Sequence, residues 1–457
     1  MRKFFLNRHL KAIGTLSLLS IFFTTIPADA FPFWNFSKKQ EQKRAELNQT
    51  RSEAIQSLTL LDAYRLALKK SESVAITFED INQARARFYR SFNYFLPTAH
   101  FVMSETFRDP VGGSSDSVSN TGRRTTPENK FTFTQPLFSG FREIAALQAS
   151  GADKKQQVLA WKRAKELLFV DVMSSYYAVL EAQRNVSALA KTHRLGADRL
   201  RELNRKIKVG RLRGTDRQTW LADLRLLEAG LIEARSALAV SKNLFAFYIG
   251  QPLGARVLVD EQIPEEIFEI SQVDFKARQR SDVAAYEQAY IVSEKKVIAA
   301  QADLFPTIKA EGNYYTRRVG FSSGSDWDVT VQMDVPIFEL GTTMADIKSA
   351  VSTRQTSHLE WEQSRRMAEL DIQNALEDLR SMRLRERALW KAREASTSNY
   401  KLVSADYRHS LVNNLDVLDA LRRLQDVEVR YNDAYFLMKE SYWKFKSAVG
   451  EIITLPG

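Results

Sequence analysis

The segment WDVTVQMDVPIF, residues 327–338, alternates Trp327, Val329, Val331, Met333 and Val335 with Asp328, Thr330, Gln332 and Asp334. Apolar side chains at a spacing of two, with polar ones between, predict a β-strand that is apolar on one face and polar on the other. Directly after Pro336-Ile337-Phe338 the period changes, and no proline occurs from Met344 to His409. A helix of that length, at ~1.5 Å per residue, extends on the order of 100 Å, more than a compact domain holds. A short amphipathic strand feeding a very long helix is the pattern that decides the fold.

The same pattern stands 200 positions earlier. Pro136-Leu137-Phe138 recurs as Pro336-Ile337-Phe338, and Asp216, Leu224, Phe245 and Gly250 recur as Asp416, Leu424, Phe445 and Gly450, with no net insertion between copies. An internal repeat fixes the architecture before any local reading. In the first copy, Lys130 to Gln135 alternates Phe131 and Phe133 with Lys130, Thr132 and Thr134, and Arg142 to Val209 is free of proline. Each strand has a weaker partner after a proline, Ala99 to Phe107 after Pro97 and Ile308 to Tyr315 after Pro306. The Gly/Ser/Asn/Arg-rich stretches Arg108–Glu128 and Arg318–Asp326 read as hairpin loops. Each long helix is followed by a polar turn and a returning helix with a heptad. Leu224, Leu231, Leu238 and Phe245 occupy a positions, and Leu227, Ala234, Ser241 and Tyr248 occupy d positions. The second copy has Leu424, Tyr431, Met438 and Phe445, then Val427, Ala434, Ser441 and Ala448. Sustained heptads predict coiled-coil packing.

The expected domain order is a leader (1–30), a polar segment (31–57), a first repeat (58–250), a connector (251–281) and a second repeat (282–457). The first repeat holds a β-hairpin at 98–138 and a helical hairpin at 141–249; the second holds them at 307–338 and 342–449. The leader has a basic head (Arg2, Lys3, Arg8, Lys11), an apolar stretch from Ala12 to Ile26 and a small-residue end, Ala28-Asp29-Ala30, a secretory signal pattern. Removing it takes away four cations and one acid, moving the net charge from +11 to +8. The remaining cations are interleaved with acids along helices, as in Arg383-Leu384-Arg385-Glu386-Arg387, so nucleic acid is not an expected partner. There is no cysteine, hence no disulfide and no lipid-bearing cysteine. Beyond the leader no run of 18 apolar residues occurs, so a membrane role falls to the strands. Thr59 is placed to cap a helix carrying Leu60, Ala63, Tyr64, Ala67 and Leu68; helices Val74–Phe95 and Asp282–Leu304, with a Ser271 cap before Asp274, complete the reading.

Four strands cannot close a barrel, and an open sheet edge in lipid leaves backbone groups unpaired. A cyclic homotrimer gives twelve strands, wide enough for an aqueous lumen. An enzyme is not expected. The histidines at 9, 100, 193, 358 and 409 have no ligand spacing, and neither a phosphate loop nor a nucleophile motif occurs. No cofactor or metal is called for. The competing reading is a periplasmic coiled-coil adaptor or scaffold without membrane strands.

These residues resemble the TolC family of outer-membrane channel proteins. The resemblance runs from about Leu58 to Gly450. It rests on the duplicated Pro-x-Phe, the Leu58-Thr59-Leu60 entry helix, Arg280-Ser281-Asp282, Leu304-Phe305-Pro306 and Leu415-Asp416-Val417-Leu418-Asp419-Ala420. It implies a fold that is mainly α with membrane β: a trimeric twelve-stranded outer-membrane barrel continuous with a long periplasmic helical barrel. It also implies a location in the cell outer membrane with a large periplasmic extension. The expected partners are outer-membrane lipid, a periplasmic adaptor (membrane fusion) protein and an inner-membrane transporter. The function it implies is the exit duct of a tripartite efflux pump or a type I secretion system.

By the same resemblance, Asp416 and Asp419 match acidic positions of a lumenal ring at the periplasmic aperture. Carboxylates at i and i+3 share a helix face, and the alternative reading is a pair favoured by the helix dipole. Asp216 and Tyr407 match two members of a polar gate network. The network's arginine position holds Val412, leaving Arg408, Arg211 and Arg213 as substitutes. Val209, Gly210, Arg211, Leu212, Ser410 and Leu411 fall where adaptor contact is expected.

Overall fold

A computed structural model describes residues 57–107, 125–209, 213–254, 256–264, 273–319, 324–337 and 340–451. The expected leader, most of the polar segment, residues 108–124 and 320–323 of the hairpin loops, Phe338 and Ser271 lie outside the described residues. So do the tip residues Gly210, Arg211 and Leu212. The described residues of Leu58–Gly457 form one compact unit.

Helix α1 (Leu60–Lys70) starts where Thr59 accepts the Asp62 N–H, and its buried face is Leu60, Ala63, Tyr64 and Ala67. Helix α2 (Glu72–Asn93) is capped by Ser71. Its bounds lie two residues before the expected Val74–Phe95, because the Ser71 hydroxyl intercepts the Val74 N–H and starts the helix there. Strands β1 (Thr98–Phe107) and β2 (Thr125–Ser139) follow, then α3 (Arg142–Lys208) and α4 (Gly214–Ile249). A short helix α5 (Val273–Gln279) precedes α6 (Ser281–Gln301), which ends in a 3₁₀ turn, Ala302–Leu304. Strands β3 (Thr307–Arg317) and β4 (Trp327–Asp334) lead into α7 (Leu340–Arg408) and α8 (Asn414–Ala448). The order helix, hairpin, long helix, returning helix thus occurs in both halves.

The strands form one antiparallel sheet in the order β1-β2-β3-β4. Its register aligns Phe101, Phe131, Tyr314 and Trp327 in one row, and Ala99, Phe133, Gly312 and Val329 in the next. The opposite face carries the rows Thr98-Thr134-Glu311-Thr330 and His100-Thr132-Asn313-Asp328. One correction concerns β2. The sequence ends this strand at Gln135, whereas it runs through Pro136 to Ser139 by a register shift between Pro136 and Phe138. The bulge absorbs the proline, which cannot donate to the ladder. In the second half Pro336 does terminate the strand.

The long helices pack side by side. Near the sheet α3 lies between α2 and α6, and α7 packs on α6; farther down, α3 lies between α4 and α8, and α8 packs on α7. Every a and d position of both returning helices is buried or half-buried. Gly250 (φ 68°) and Gly450 (φ 78°) end these helices in the left-handed conformation. At Gly250 a Cβ would also lie 2.7 Å from the Lys70 side chain, so two constraints hold glycine there.

Between the two halves the connector is pinned to the bundle. The Tyr176 hydroxyl donates to the carbonyls of Leu58 (2.9 Å) and Val259 (2.6 Å). Lys439, 2 % exposed, pairs with Asp260 and donates to the Glu261 carbonyl at 2.6 Å. Arg184 also pairs with Asp260, and the Tyr435 hydroxyl reaches the same carboxylate at 3.1 Å. Such a buried ion is tolerated because each charge is paired and hydrogen-bonded. The Arg280-Ser281-Asp282 motif does comparable work between α3, α6 and α7. Arg280 binds Asp282 (2.7 Å) and Asp371 (3.1 Å), while the Ser281 hydroxyl donates to Glu166 at 2.8 Å.

Candidate functional site

The far end of the helical hairpins gathers the residues singled out at the tip. Their core is Leu203 of α3, Trp220 of α4, Tyr407 of α7 and Val417, Leu418 and Leu421 of α8. All four helices therefore meet here, so the two hairpins are locked to each other by apolar burial. The Trp220 indole donates to the Gly196 carbonyl at 2.8 Å. Gly196 lets this approach occur, since a Cβ there would sit 3.2 Å from Leu224.

Tyr407 lies in this core, but neither Asp216 nor Arg408 holds it. The Arg199 guanidinium stacks on its ring at 3.4 Å and the Lys206 ammonium lies 4.1 Å from the ring centre. Arg199 is buried, and its Nη1 donates to Glu202 at 2.7 Å. Its Nε and Nη2 have no hydrogen-bond partner among the described residues, so contact with the aromatic face is their main compensation. Among the described residues the arginine on the Tyr407 ring is Arg199 of α3, while Val412 packs against the apolar cluster. Asp216 is half-buried in the first turn of α4 and Arg408 is exposed at the end of α7. Neither has a side-chain partner among the described residues.

A second link between hairpins is ionic. Asp223 of α4, buried, pairs with Arg422 of α8, which also lies 3.8 Å from Asp419. Sequence reasoning missed both Arg199 and this pair. The available signal was that Arg199 falls in step with the seam residues Leu189, Thr192, Gly196 and Leu203, where an apolar side chain is the default.

Asp416 and Asp419 are exposed in the first turns of α8. Asn413 caps that helix, accepting from the N–H groups of Leu415 (2.8 Å) and Asp416 (3.0 Å), while Asp416 accepts the Asn413 N–H at 2.9 Å. Asp416 is therefore the N3 member of a capping box. Arg422 and Arg423 are exposed on the same side, so the acidic face is mixed rather than purely anionic. At the turns, Val209 and Leu411 are exposed, and Ser410 takes a left-handed φ of 61°.

At the opposite end, the sheet's apolar rows are exposed. Phe101, Trp327, Val329, Val331 and Met333 lie open on one face. On the other, Asp328 accepts from Asn313 (2.9 Å) and Tyr315 (2.7 Å), and Thr132 donates to Asn313 at 2.8 Å. A sheet with an open apolar face and a hydrogen-bonded polar face suits lipid on one side and water on the other.

A pair of strand hairpins sharing one sheet, joined to two long coiled helical hairpins, defines the fold. Residues 276–451 match the family model described as outer membrane efflux protein. The chain is 26 % identical over 281 residues to nodulation protein T of Rhizobium leguminosarum bv. trifolii, covering 57 % of this chain and 58 % of that one. It is 27 % identical over 151 residues to the cation efflux system protein CusC of Escherichia coli K12, covering 32 % and 33 %. These matches span less than two thirds of either relative. In structure, the Campylobacter jejuni CmeC outer membrane channel superposes with a TM-score of 0.76 at 16 % identity, over 86 % of this chain and 85 % of that one. The second half of the chain thus carries the outer membrane efflux protein signature, and the fold is that of the TolC-like outer-membrane channels.

Proposed function

We propose that the protein is the outer-membrane exit duct of a tripartite efflux pump, formed by three copies of this chain. One observation carries the reading: both layers are open side-by-side arrays, β1-β2-β3-β4 in the sheet and α4-α3-α8-α7 in the helices. Strands β1 and β4 each have one unpaired edge, which lipid does not tolerate. Helix α4 carries a second heptad stripe of Leu226, Gly230, Glu233, Ala237, Val240, Leu244 and Phe247, mostly apolar, in which Leu226, Val240, Leu244 and Phe247 are exposed in the protomer. Side-by-side closure of three copies covers these edges and gives a twelve-stranded barrel above a twelve-helix tunnel. The repeat at 200 positions and the cell outer membrane as location fit the same assembly. Among the described residues no helix is long and apolar enough to cross a membrane, which leaves the strands that task.

Efflux is favoured over type I secretion because CusC belongs to a cation efflux system and the matching family is one of outer membrane efflux proteins. A periplasmic adaptor contacting Val209, Ser410, Leu411 and the 210–212 turn, and an inner-membrane transporter beyond it, complete the pathway. At the aperture Asp416 and Asp419 face the lumen, and Arg199, Tyr407 and the Asp223–Arg422 pair hold the closed tip. Planar-bilayer recording tests the duct. Asp223→Asn with Arg422→Gln raises single-channel conductance, and Asp416→Ala with Asp419→Ala abolishes block by multivalent cations. A purified protein that inserts but never conducts, in either variant, contradicts the reading. Deletion of the gene, with drug sensitivity and secreted proteins measured together, separates efflux from secretion.

A further inference from the structure

The protomer contains a template for the contact that its two outer helices leave open. In the array α4-α3-α8-α7, the returning helix α8 lies on the outgoing helix α3 of the other repeat. The contact is antiparallel. The Trp443 indole donates to the Tyr177 hydroxyl at 3.0 Å, Asn185 donates to Asp433 at 3.3 Å, and a Cβ on Gly196 would lie 4.0 Å from Leu421. Because the halves repeat at 200 positions without insertion, exchanging the copies turns α3 on α8 into α7 on α4. Those are the outer helices. One register follows for the open contact: Asn185 opposite Asp433 becomes Arg385 opposite Glu233. The same register sets Ala388 opposite Gly230 and Ser381 opposite Ala237.

We propose that an ion pair between Arg385 of one copy and Glu233 of the next fixes the register in which α7 receives the neighbour's α4. It rests on the trimeric duct reading and adds which side chains decide how the copies engage. Three features support it. Ser381, Leu384, Ala388 and Ala395 are exposed and fall, by helical periodicity, on the side of α7 away from Ile372, Leu376 and Leu379, which are buried toward α8. The stripe is therefore lateral, in line with α8, rather than on either broad face of the array. Small residues on both sides, Ala388 with Gly230 and Ser381 with Ala237, let the helix axes approach closely. Arg385 and Glu233 are exposed, opposite in charge and without a side-chain partner among the described residues. Charges beside a coiled seam set partner choice and orientation. A full-length antiparallel contact of α4 with itself would instead bring the two Glu233 carboxylates within about one turn of each other, which disfavours a two-fold dimer.

The chain has no cysteine, so disulfide trapping in the full-length, detergent-extracted protein reads the register directly. Ala388→Cys with Gly230→Cys is expected to give covalent trimers on denaturing electrophoresis. Ala388→Cys with Ala237→Cys shifts one partner by about 10 Å along the helix, beyond the ~7 Å that a disulfide spans, and is expected to trap at least ~10-fold less. In the first background, Arg385→Glu alone or Glu233→Arg alone is expected to lower the trapped fraction at least ~10-fold, and the two together to restore it. That restoration separates a lost ion pair from a damaged fold. Equal trapping of the shifted pair, indifference to the single reversals, or no recovery in the combined variant overturns the register pair. Native mass spectrometry of the unsubstituted protein separates the two readings. A trimer that traps in another register sinks the register pair alone, whereas a protein that stays monomeric sinks the trimeric duct.

Discussion

The two helical hairpins share a backbone and differ in what their free faces ask for. The outgoing helices α3 and α7 have 67 and 69 residues, the returning helices α4 and α8 have 36 and 35, and both returning helices end on a left-handed glycine. Their a and d seams are equivalent. The second stripe is not. On α4 it is apolar except for Glu233 and mostly exposed, whereas on α8 the corresponding positions are Asp426, Arg430, Asp433, Leu437, Glu440, Lys444 and Ser447. Part of that polar stripe is satisfied inside the protomer, where Asn185 of α3 donates to Asp433 at 3.3 Å. The repeated seam thus builds each hairpin, and in the proposed trimer the unrepeated stripe marks where the neighbour is another copy.

The strongest way to break this comparison is to make the α4 stripe resemble that of α8. Val240→Asp with Leu244→Lys is expected to abolish assembly while leaving helical content intact. Size-exclusion chromatography with light scattering and circular dichroism check this, and assembly that survives both changes rejects the division of labour.

Next in size is the link between hairpins. Asp223→Asn leaves Arg422 half-exposed and loses about 1–3 kcal/mol, whereas Arg422→Leu strands the buried Asp223 and costs about 3–5 kcal/mol. Denaturant titration of the two variants checks the order, and the reverse order would mean that Asp223 has another partner.

The α3–α8 seam itself responds to pH. Burial raises the Glu181 carboxyl to about 7, with the facing carboxylates Asp433 and Glu440 adding to the shift; Glu440 is itself paired with Lys444 at 3.0 Å. Because the folded pKa lies above the ordinary value, the folded state holds the proton longer. Stability is therefore full below about pH 4.5, falls as pH rises through about 7 and is flat above. Discounted for partial exposure, the loss amounts to about 1–2 kcal/mol. Glu181→Gln is expected to remove the slope and to stabilise the protein at pH 8, as read by thermal unfolding across pH. An unchanged slope assigns it to another group.

The smallest effect concerns the helix starts. The α8 N-terminus has its Asn413–Asp416 capping box, whereas Arg213 at the N-cap of α4 makes no side-chain cap despite Asp216 three residues on. Asn413→Ala should cost about 1 kcal/mol and Arg213→Asn should return a comparable amount to α4. Equal effects of Ala at both positions would deny the asymmetry.

Much of the fold was legible because its signals are local and periodic. The alternation from Trp327 to Val335 places β4, and the heptads from Leu224 to Phe245 and from Leu424 to Phe445 place the returning helices. The extent of β2 was less legible, since a proline reads as a stop and its accommodation depends on a bulge set by the neighbouring strand. The tip was least legible. Arg199 and Asp223 read as solvated charges, because only the approach of α7 and α8 buries them. Asp416 shows the opposite: its place in the first turn, favoured by the helix dipole, is local and was among the alternatives, whereas a lumenal role depends on copies beyond one chain.

The central claim is that the open arrays close in threes. Native mass spectrometry of the detergent-extracted protein measures this directly. A dominant species at three times the chain mass, lost on Val240→Asp with Leu244→Lys, is the predicted result. A dominant monomer, or a different stoichiometry that survives that substitution, contradicts it.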